Sequence, residues 1–161
     1  MSVSQPHILI VDDNRITTKL LRRYMEATGF VTTEAFDGVE CLEVLKTITP
    51  DAVIMDVMMP KLNGFETTKA IKSNPATASI PVILVTALND VSTLEEAVEA
   101  GVDDFLTKPI DEKLLTTKVR LYVEVTQARQ RINNLRSIVK AYKHGEPITD
   151  SIRELINAEG L

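Results

Sequence analysis

Short apolar runs alternate with longer amphipathic stretches over the first two-thirds of the chain. Five of these runs have the length and the β-branched composition of strands, and continuously apolar runs are typical of strands covered on both faces. They are Ile8–Val11, Val31–Thr33, Ala52–Met55, Val82–Val85 and Phe105–Thr107. The second run is the least apolar, so we expect it at an edge of the sheet.

The stretches between the runs have helical periodicity and end at helix stop signals. Gly29 follows the stretch 14–28 and Gly101 follows the stretch 90–100, as expected for helix ends. Asn63 and Asp90 are the expected N-caps of two helices. Five strands alternating with five helices predict an α/β domain, in which right-handed crossovers wrap helices around a parallel sheet.

Polar residues stand where four of the predicted strands end. Asp12 and Asp13 end the first, Asp56 the third, Thr86 the fourth and Lys108 the fifth. In a parallel sheet these ends share one edge, where open α/β folds bind ligands. Each residue has a structural explanation on its own, and Asp13 could simply cap a helix. Three carboxylates brought together repel one another, however, so a shared function explains the set better.

Magnesium chemistry fits this set of residues. Mg²⁺ prefers carboxylate, carbonyl and water oxygens, so Asp12, Asp13 and Asp56 are candidate metal ligands. A carboxylate oxygen of Asp56 could then attack phosphorus, as in aspartyl-phosphate formation. Lys108 would neutralise charge on the transferred group and Thr86 would donate a hydrogen bond to it.

Five motifs together resemble the receiver domain of response regulators, and the resemblance covers about residues 6–123. The motifs are Val11–Asn14, Met55–Pro60, Gly64, Thr86–Ala87 and Lys108–Pro109. The resemblance implies a doubly wound five-stranded parallel sheet of strand order 2-1-3-4-5, here with an extended C-terminal helix.

The resemblance also implies a role for each matching residue. Asp56 would be the phosphoryl acceptor, and Asp12 and Asp13 would bind Mg²⁺ with it. Thr86 would be the switch hydroxyl and Lys108 would contact the phosphoryl group. A histidine kinase or a phosphotransfer protein would supply the phosphate. In many family members the bond before the matching proline is cis, so the same is expected of Lys108–Pro109.

Phe105 matches the switch aromatic of the family, although ordinary core packing also explains an aromatic residue in a strand. In the switch interpretation, Thr86 moves toward the phosphoryl group and the ring turns into the vacated space. The face formed by the fourth helix, fifth strand and fifth helix would then change. Met58 and Leu88 are apolar at positions that border the water path in this family, which predicts a long-lived phosphorylated state.

A heptad pattern continues beyond the resemblance. The d positions are Leu114, Leu121, Ala128, Leu135 and Tyr142, and the a positions are Lys118, Val125, Ile132 and Val139. β-branched residues at a with leucine at d favour a parallel two-stranded coiled coil. Heptad residues up to about 123 are expected to pack on the sheet, and later ones to form a homodimer.

The charges flanking the heptad predict a weak zipper, because Glu124 can meet Arg129 of a partner helix but Arg131 faces Arg136. His144-Gly145 and Pro147 should break the helix. A short amphipathic helix is then expected, with its apolar face formed by Ile148, Ile152, Leu155 and Ile156.

Composition narrows the remaining possibilities. The net charge is −5, and residues 1–110 hold 16 acidic against 9 basic side chains, which argues against nucleic-acid binding. The chain contains no apolar run near the roughly 20 residues of a membrane helix. The single cysteine, Cys41, is expected to be a buried, inert thiol. A cytoplasmic location is therefore expected.

The leading hypothesis is a phosphorylation-controlled signalling module and not an enzyme. It comprises a receiver domain, residues 1–123, and a helical coiled-coil extension with a short terminal helix, residues 124–161. A phosphatase-like hydrolase is disfavoured because Met58 stands where such enzymes need a second acid. A non-phosphorylated pseudo-receiver that serves as a dimer scaffold is the alternative. The chain could also be the receiver fragment of a larger regulator, such as a cyclic-dinucleotide enzyme.

Overall fold

The structure is a computed structural model, and it describes residues 5–87, 91–144 and 149–160. Within these described residues, five strands and six helices follow one another in strict alternation up to the fifth helix. The strands are β1 (His7–Val11), β2 (Val31–Ala35), β3 (Ala52–Asp56), β4 (Val82–Thr86) and β5 (Asp104–Thr107). The helices are α1 (Arg15–Ala27), α2 (Gly38–Val44), α3 (Gly64–Ser73), α4 (Val91–Ala100), α5 (Glu112–Lys143) and α6 (Asp150–Glu159).

All strand pairs are parallel, and the strand order is β2-β1-β3-β4-β5. The α/β fold and the strand order expected from the sequence are therefore confirmed, with β2 at an edge. β3 and β4 are buried at every position. Helices must cover both faces of such strands, which explains why their sequences are continuously apolar.

Alternate strand residues face two separate cores. On one side, Leu9, Val53 and Leu84 pack with the apolar side chains of α2, α3 and α4. On the other side, Ile10 and Ile54 pack with those of α1 and α5. This two-sided core holds the carboxyl ends of four strands at one edge, and the site is built there.

The helix ends agree with most of the expected signals. Asn63 caps α3 in a capping box with Glu66, and Gly29 and Gly101 have φ values of 90° and 81°. The side chain of Asn14, and not that of Asp13, caps α1 by accepting from Ile16 N at 2.9 Å. The expected cap Asp90 lies outside the described residues.

By its contacts the chain divides into two compact units, residues 1–123 and 124–161. We call them the receiver unit and the extension. In the receiver unit, α5 packs on the sheet through Leu115, Val119 and Val123. Residues of α5 up to about 123 therefore do pack on the sheet, but not through the heptad residues Leu114 and Leu121, which are 47% and 57% exposed.

Candidate phosphoryl-acceptor site

The parallel register brings four strand ends together. Val11 lies opposite Met55, Asp56 opposite Val85, and Thr86 opposite Thr107. Asp12 directly follows β1, Asp56 and Thr86 are the last residues of β3 and β4, and Lys108 directly follows β5. Side chains nearly a hundred positions apart in sequence therefore share one edge of the sheet.

Three carboxylates form a compact acidic cluster. Asp12, Asp13 and Asp56 each offer an oxygen atom, and these atoms lie within 4.8 Å of one another. Asp12 and Asp56 are buried, whereas Asp13 is exposed. Hard oxygen donors are the ligands that Mg²⁺ prefers, and it usually takes one or two carboxylates from a protein, so this cluster could hold the ion.

The two oxygens of Asp12 have different surroundings. Its Oδ1 accepts a hydrogen bond of 2.8 Å from the backbone N–H of Asn14. Its Oδ2 is buried and has no hydrogen-bond partner among the described residues. Burial is the main cause that raises the pKa of Asp12, with help from the negative charges of Asp56 and Asp13, and it outweighs the lowering effects of the Asn14 N–H and of Lys108. A buried oxygen that accepts no hydrogen bond and lies beside two other acids fits a site that takes a cation.

Lys108 bridges the cluster. Its Nζ lies 2.8 Å from Asp56 Oδ1 and 3.8 Å from Asp12 Oδ2. Burial lowers the pKa of Lys108, but its hydrogen bond to Asp56 and the nearby carboxylate charges outweigh burial and hold the pKa above its usual value. The Lys108 backbone N–H donates to the Thr86 carbonyl at 2.8 Å, and the Lys108–Pro109 bond is cis, as the resemblance implied.

The loop after β3 returns very close to the strand end. A Cβ on Gly64 would lie 2.5 Å from the Asp56 carbonyl oxygen and 2.9 Å from Val57 Cα, so only glycine fits there. The Gly64 N–H donates to the Val57 carbonyl at 2.9 Å. This contact fixes the start of α3 against Asp56 and thereby the position of the acceptor carboxylate.

The switch pair lies beside this cluster. Thr86 is 2% exposed, whereas Phe105 is 41% exposed. A small cavity lies between them, and Val57, Leu84 and Ala97 contribute to its lining. Core packing therefore does not account for the Phe105 ring in this structure. Met58 is 65% exposed, while Leu88, its expected companion on the water path, lies outside the described residues.

Sequence reasoning missed one ion pair in the loop that carries the site. Lys61 has a left-handed backbone, with a φ of 68°, and its ammonium group bonds the Asp37 carboxylate. Asp37 also caps α2 by accepting from Glu40 N at 2.8 Å. The hydrogen bond from Lys61, followed by those from the backbone, lowers the pKa of Asp37. An aspartate before the short α2 was the available signal for the cap, but nothing in the sequence indicated its lysine partner.

Comparisons with known proteins agree with this geometry. Residues 8–120 match the family described as the response regulator receiver domain. The chain is 37% identical over 129 residues to response regulator PleD of Caulobacter vibrioides, covering 80% of this chain and 28% of PleD. The chain spans between 28% and 55% of the length of the curated relatives it matches first.

Solved structures show the same fold. A signal receiver domain of a histidine kinase from Syntrophus aciditrophicus is 34% identical, with a TM-score of 0.71 over 74% of this chain and 90% of that one. The receiver domain of the sensor histidine kinase PA1611 from Pseudomonas aeruginosa is 25% identical, with a TM-score of 0.70 over 75% of this chain and 99% of that one. That structure has a magnesium ion coordinated in its active-site cleft.

The chain belongs to the response regulator receiver family of two-component signalling. Receiver domains bind Mg²⁺ at their active site and interact with histidine kinases or phosphotransfer proteins. Among the described residues, no helix is both long enough and apolar enough to span a membrane.

Proposed function

We propose that this chain is a phosphorylation-dependent switch that accepts a phosphoryl group on Asp56 from a histidine kinase or a phosphotransfer protein. The observation that carries the proposal is the placement of Asp56. Its carboxylate is buried, lies against the Lys108 ammonium at 2.8 Å, and shares a 4.8 Å cluster with two further carboxylates. An aspartate with only a structural role could be stabilised by the lysine alone and would not require two further carboxylates beside it.

Asp12, Asp13 and Asp56 would hold Mg²⁺, which when bound supplies positive charge to the oxygens of the transferred group. An Asp56 oxygen attacks phosphorus while the bond from phosphorus to the donor histidine nitrogen breaks, and the electron pair stays on the imidazole. Because an ionised carboxylate carries no proton, Asp56 needs no general base. Lys108 and the Thr86 hydroxyl stabilise the negative phosphoryl oxygens.

The signal leaves the site through Thr86 and Phe105. A half-exposed ring beside a small internal cavity can exchange an outward position for an inward one when Thr86 moves toward the phosphoryl group. The surface affected is the α4–β5–α5 face, where Val91 and Val98 are 72% and 79% exposed. Repacking of a few side chains is enough for two states that differ by a few kcal/mol.

The extension is proposed to form a homodimer stalk through its heptad residues. Ile132, Leu135 and Val139 are 50%, 40% and 50% exposed, which leaves their apolar surface open to a second helix. A helical stalk after a receiver domain fits a chain that is part of a larger regulator, such as a cyclic-dinucleotide enzyme. The output activity would then lie in another domain of that regulator. We further propose that the chain acts in the cytoplasm through protein contacts, without catalysing an output reaction or binding nucleic acid itself.

Phosphoryl uptake is the test. Incubation of the full chain with acetyl phosphate and Mg²⁺ should add the mass of one phosphoryl group, as measured by intact mass spectrometry. Asp56→Asn should abolish the addition because the nucleophilic oxygen is replaced by an amide. Asp150→Asn, at a side chain that is 95% exposed in the extension, is the matched control and should be phosphorylated normally. A wild-type chain that takes up no phosphate would establish the pseudo-receiver scaffold instead.

A further inference from the structure

Helix α6 lies along one flank of the α5 extension. Arg131 Nε and Asn134 Nδ2 of α5 donate to the carboxylate of Glu159 at 3.1 and 3.0 Å. The Glu159 side chain is 6% exposed, whereas its partner Arg131 is 70% exposed. Ala141, which lies one heptad beyond Asn134, is also buried. In the heptad, Arg131 is a g position and Asn134 and Ala141 are c positions.

The apolar stripe of the extension stays uncovered. We define this stripe as Val125, Ile132, Leu135, Val139 and Tyr142, which are between 38% and 88% exposed. Positions around a heptad helix follow the order a, e, b, f, c, g, d, because each residue turns the chain by about 100°. Helix α6, on the c and g flank, therefore lies beside the stripe and does not cover it.

The opposite flank of the stripe is basic. Arg136, Lys140 and Lys143 occupy e, b and e positions, and we call them the basic rim. They line a groove with Ile132, Leu135 and Val139. Within residues 5–87, 91–144 and 149–160, none of the three has an ion-pair partner. Helix α6 has the opposite charge, with three acidic residues against Arg153 in the segment 149–160.

From this arrangement we propose that the groove receives α6 of a second copy of the chain, so that two parallel α5–α6 hairpins form a four-helix stalk. In a parallel pair the g flank of each helix faces the e flank of its partner. The acidic α6 of each copy then lies beside the basic rim of the other. In an antiparallel pair the e flank of each helix would face the e flank of the other, so the two basic rims would lie against each other and repel. The proposal deepens the homodimer of the proposed function and rests on it.

The same hairpin removes the charge conflict of the bare zipper. In a parallel pair Arg131 of one copy faces Arg136 of the other, and two like charges at such a position weaken pairing. Arg131 is held by Glu159 of its own chain at 3.1 Å, so each Arg131–Arg136 pair gains a carboxylate. Helix α6 thus supplies, through Glu159, the negative charge that the g position Arg131 does not provide.

Cysteine cross-linking tests the parallel arrangement. Val139→Cys, at an a position, should form an intermolecular disulfide in the full chain under mild oxidation, because a parallel pair places the two sulfur atoms side by side. Ser137→Cys, at an outward f position, is the matched control and should not cross-link. The native Cys41 is buried, and burial raises its pKa to about 12, so it stays unreactive. Failure of the Val139→Cys chain to cross-link would overturn the parallel stalk.

Charge removal tests the role of the rim. Lys140→Gln with Lys143→Gln should raise the dimer dissociation constant about fivefold or more at low salt, as measured by sedimentation equilibrium. The salt dependence of dimerisation should fall with it, because fewer opposite charges remain to be screened. Lys19→Gln with Lys69→Gln removes the same charge from exposed positions of the receiver unit and should match the wild type.

The outcomes separate this inference from the proposed function. If the rim variant dimerises like the wild type at every salt concentration, or more tightly, the α6-to-rim contact is wrong even though the stripe pairs. A wild-type chain that stays monomeric at all concentrations, phosphorylated or not, would assign the stripe to a different partner and overturn the inference. Phosphoryl uptake on Asp56 is measured by mass spectrometry, so it tests the phosphorylation proposal independently of these dimerisation results.

Discussion

Helix α5 has two apolar faces, of which one is buried and the other is exposed. In the receiver unit, Leu115, Val119 and Val123 are at most 3% exposed because the sheet covers them. The heptad stripe of the extension is between 38% and 88% exposed. Both faces have helical spacing, so periodicity tells which residues share a face and not what covers that face. Only a face that its own chain covers contributes to the stability of the monomer.

Two adjacent leucines give the largest effect that this comparison predicts. Leu115 is fully buried and Leu114 is 47% exposed on the same turn of α5. Leu115→Ala should lower the free energy of unfolding by about 2–5 kcal/mol, because it leaves a cavity in the core. Leu114→Ala should change it by about 0.5 kcal/mol or less. Urea unfolding at low protein concentration measures both, and similar losses would show that the Leu114 side chain is also covered in the monomer.

Strand pattern and motif spacing were enough to predict the parallel sheet and the convergence of the candidate site. The reason is physical, since continuously apolar strands require a covered parallel sheet, and such a sheet places all its carboxyl ends at one edge. The family resemblance supplied the strand order. The structure then brought Asp12, Asp13, Asp56 and Lys108 within contact distance, while their chemical roles stay proposals.

The remaining features depend on side-chain geometry that no pattern encodes. Leu114 and Leu115 are equally apolar, so the heptad alone could not tell which one packs on the sheet. The outward position of Phe105 follows from its three-dimensional surroundings and not from its place in a strand. The left-handed backbone of Lys61 and its pairing with Asp37 join residues 24 positions apart in a loop without periodicity.

The acidic edge contains a buried carboxylate oxygen, Asp12 Oδ2, that accepts no hydrogen bond from the described residues. Asp12→Asn should raise the unfolding midpoint by about 2–5 °C without Mg²⁺, since the amide keeps Oδ1 as the acceptor for Asn14 N–H and removes a buried charge. Because burial and neighbouring acids raise the folded-state pKa of Asp12, the ionised form opposes folding. The advantage of the variant should therefore be full above that folded pKa and vanish on acidification below the unfolded value.

Magnesium supplies the control for this prediction. Added Mg²⁺ should raise the midpoint of the wild type and leave the variant largely unchanged, because Asp12 is a proposed ligand. Asp13→Asn, at an exposed carboxylate, should stabilise the metal-free protein less than Asp12→Asn does. A metal-free Asp12→Asn protein that is less stable than the wild type at neutral pH would show that the repulsion is already relieved within the chain.

The smallest expected effect concerns the enclosed glutamate of the extension. Glu159→Ala removes the acceptor of Arg131 and Asn134, but Arg131 is 70% exposed and regains water, so about 1 kcal/mol of local stability should be lost. Amide hydrogen exchange in α6 should then accelerate about fivefold, while exchange in β3 and β4 stays at the wild-type rate. Glu154→Ala, at an exposed position of the same helix, should leave both rates nearly unchanged. Equal acceleration in α6 and in the sheet would mean that the two units unfold together, and the contrast between the faces of α5 would then describe burial alone and not independent stability.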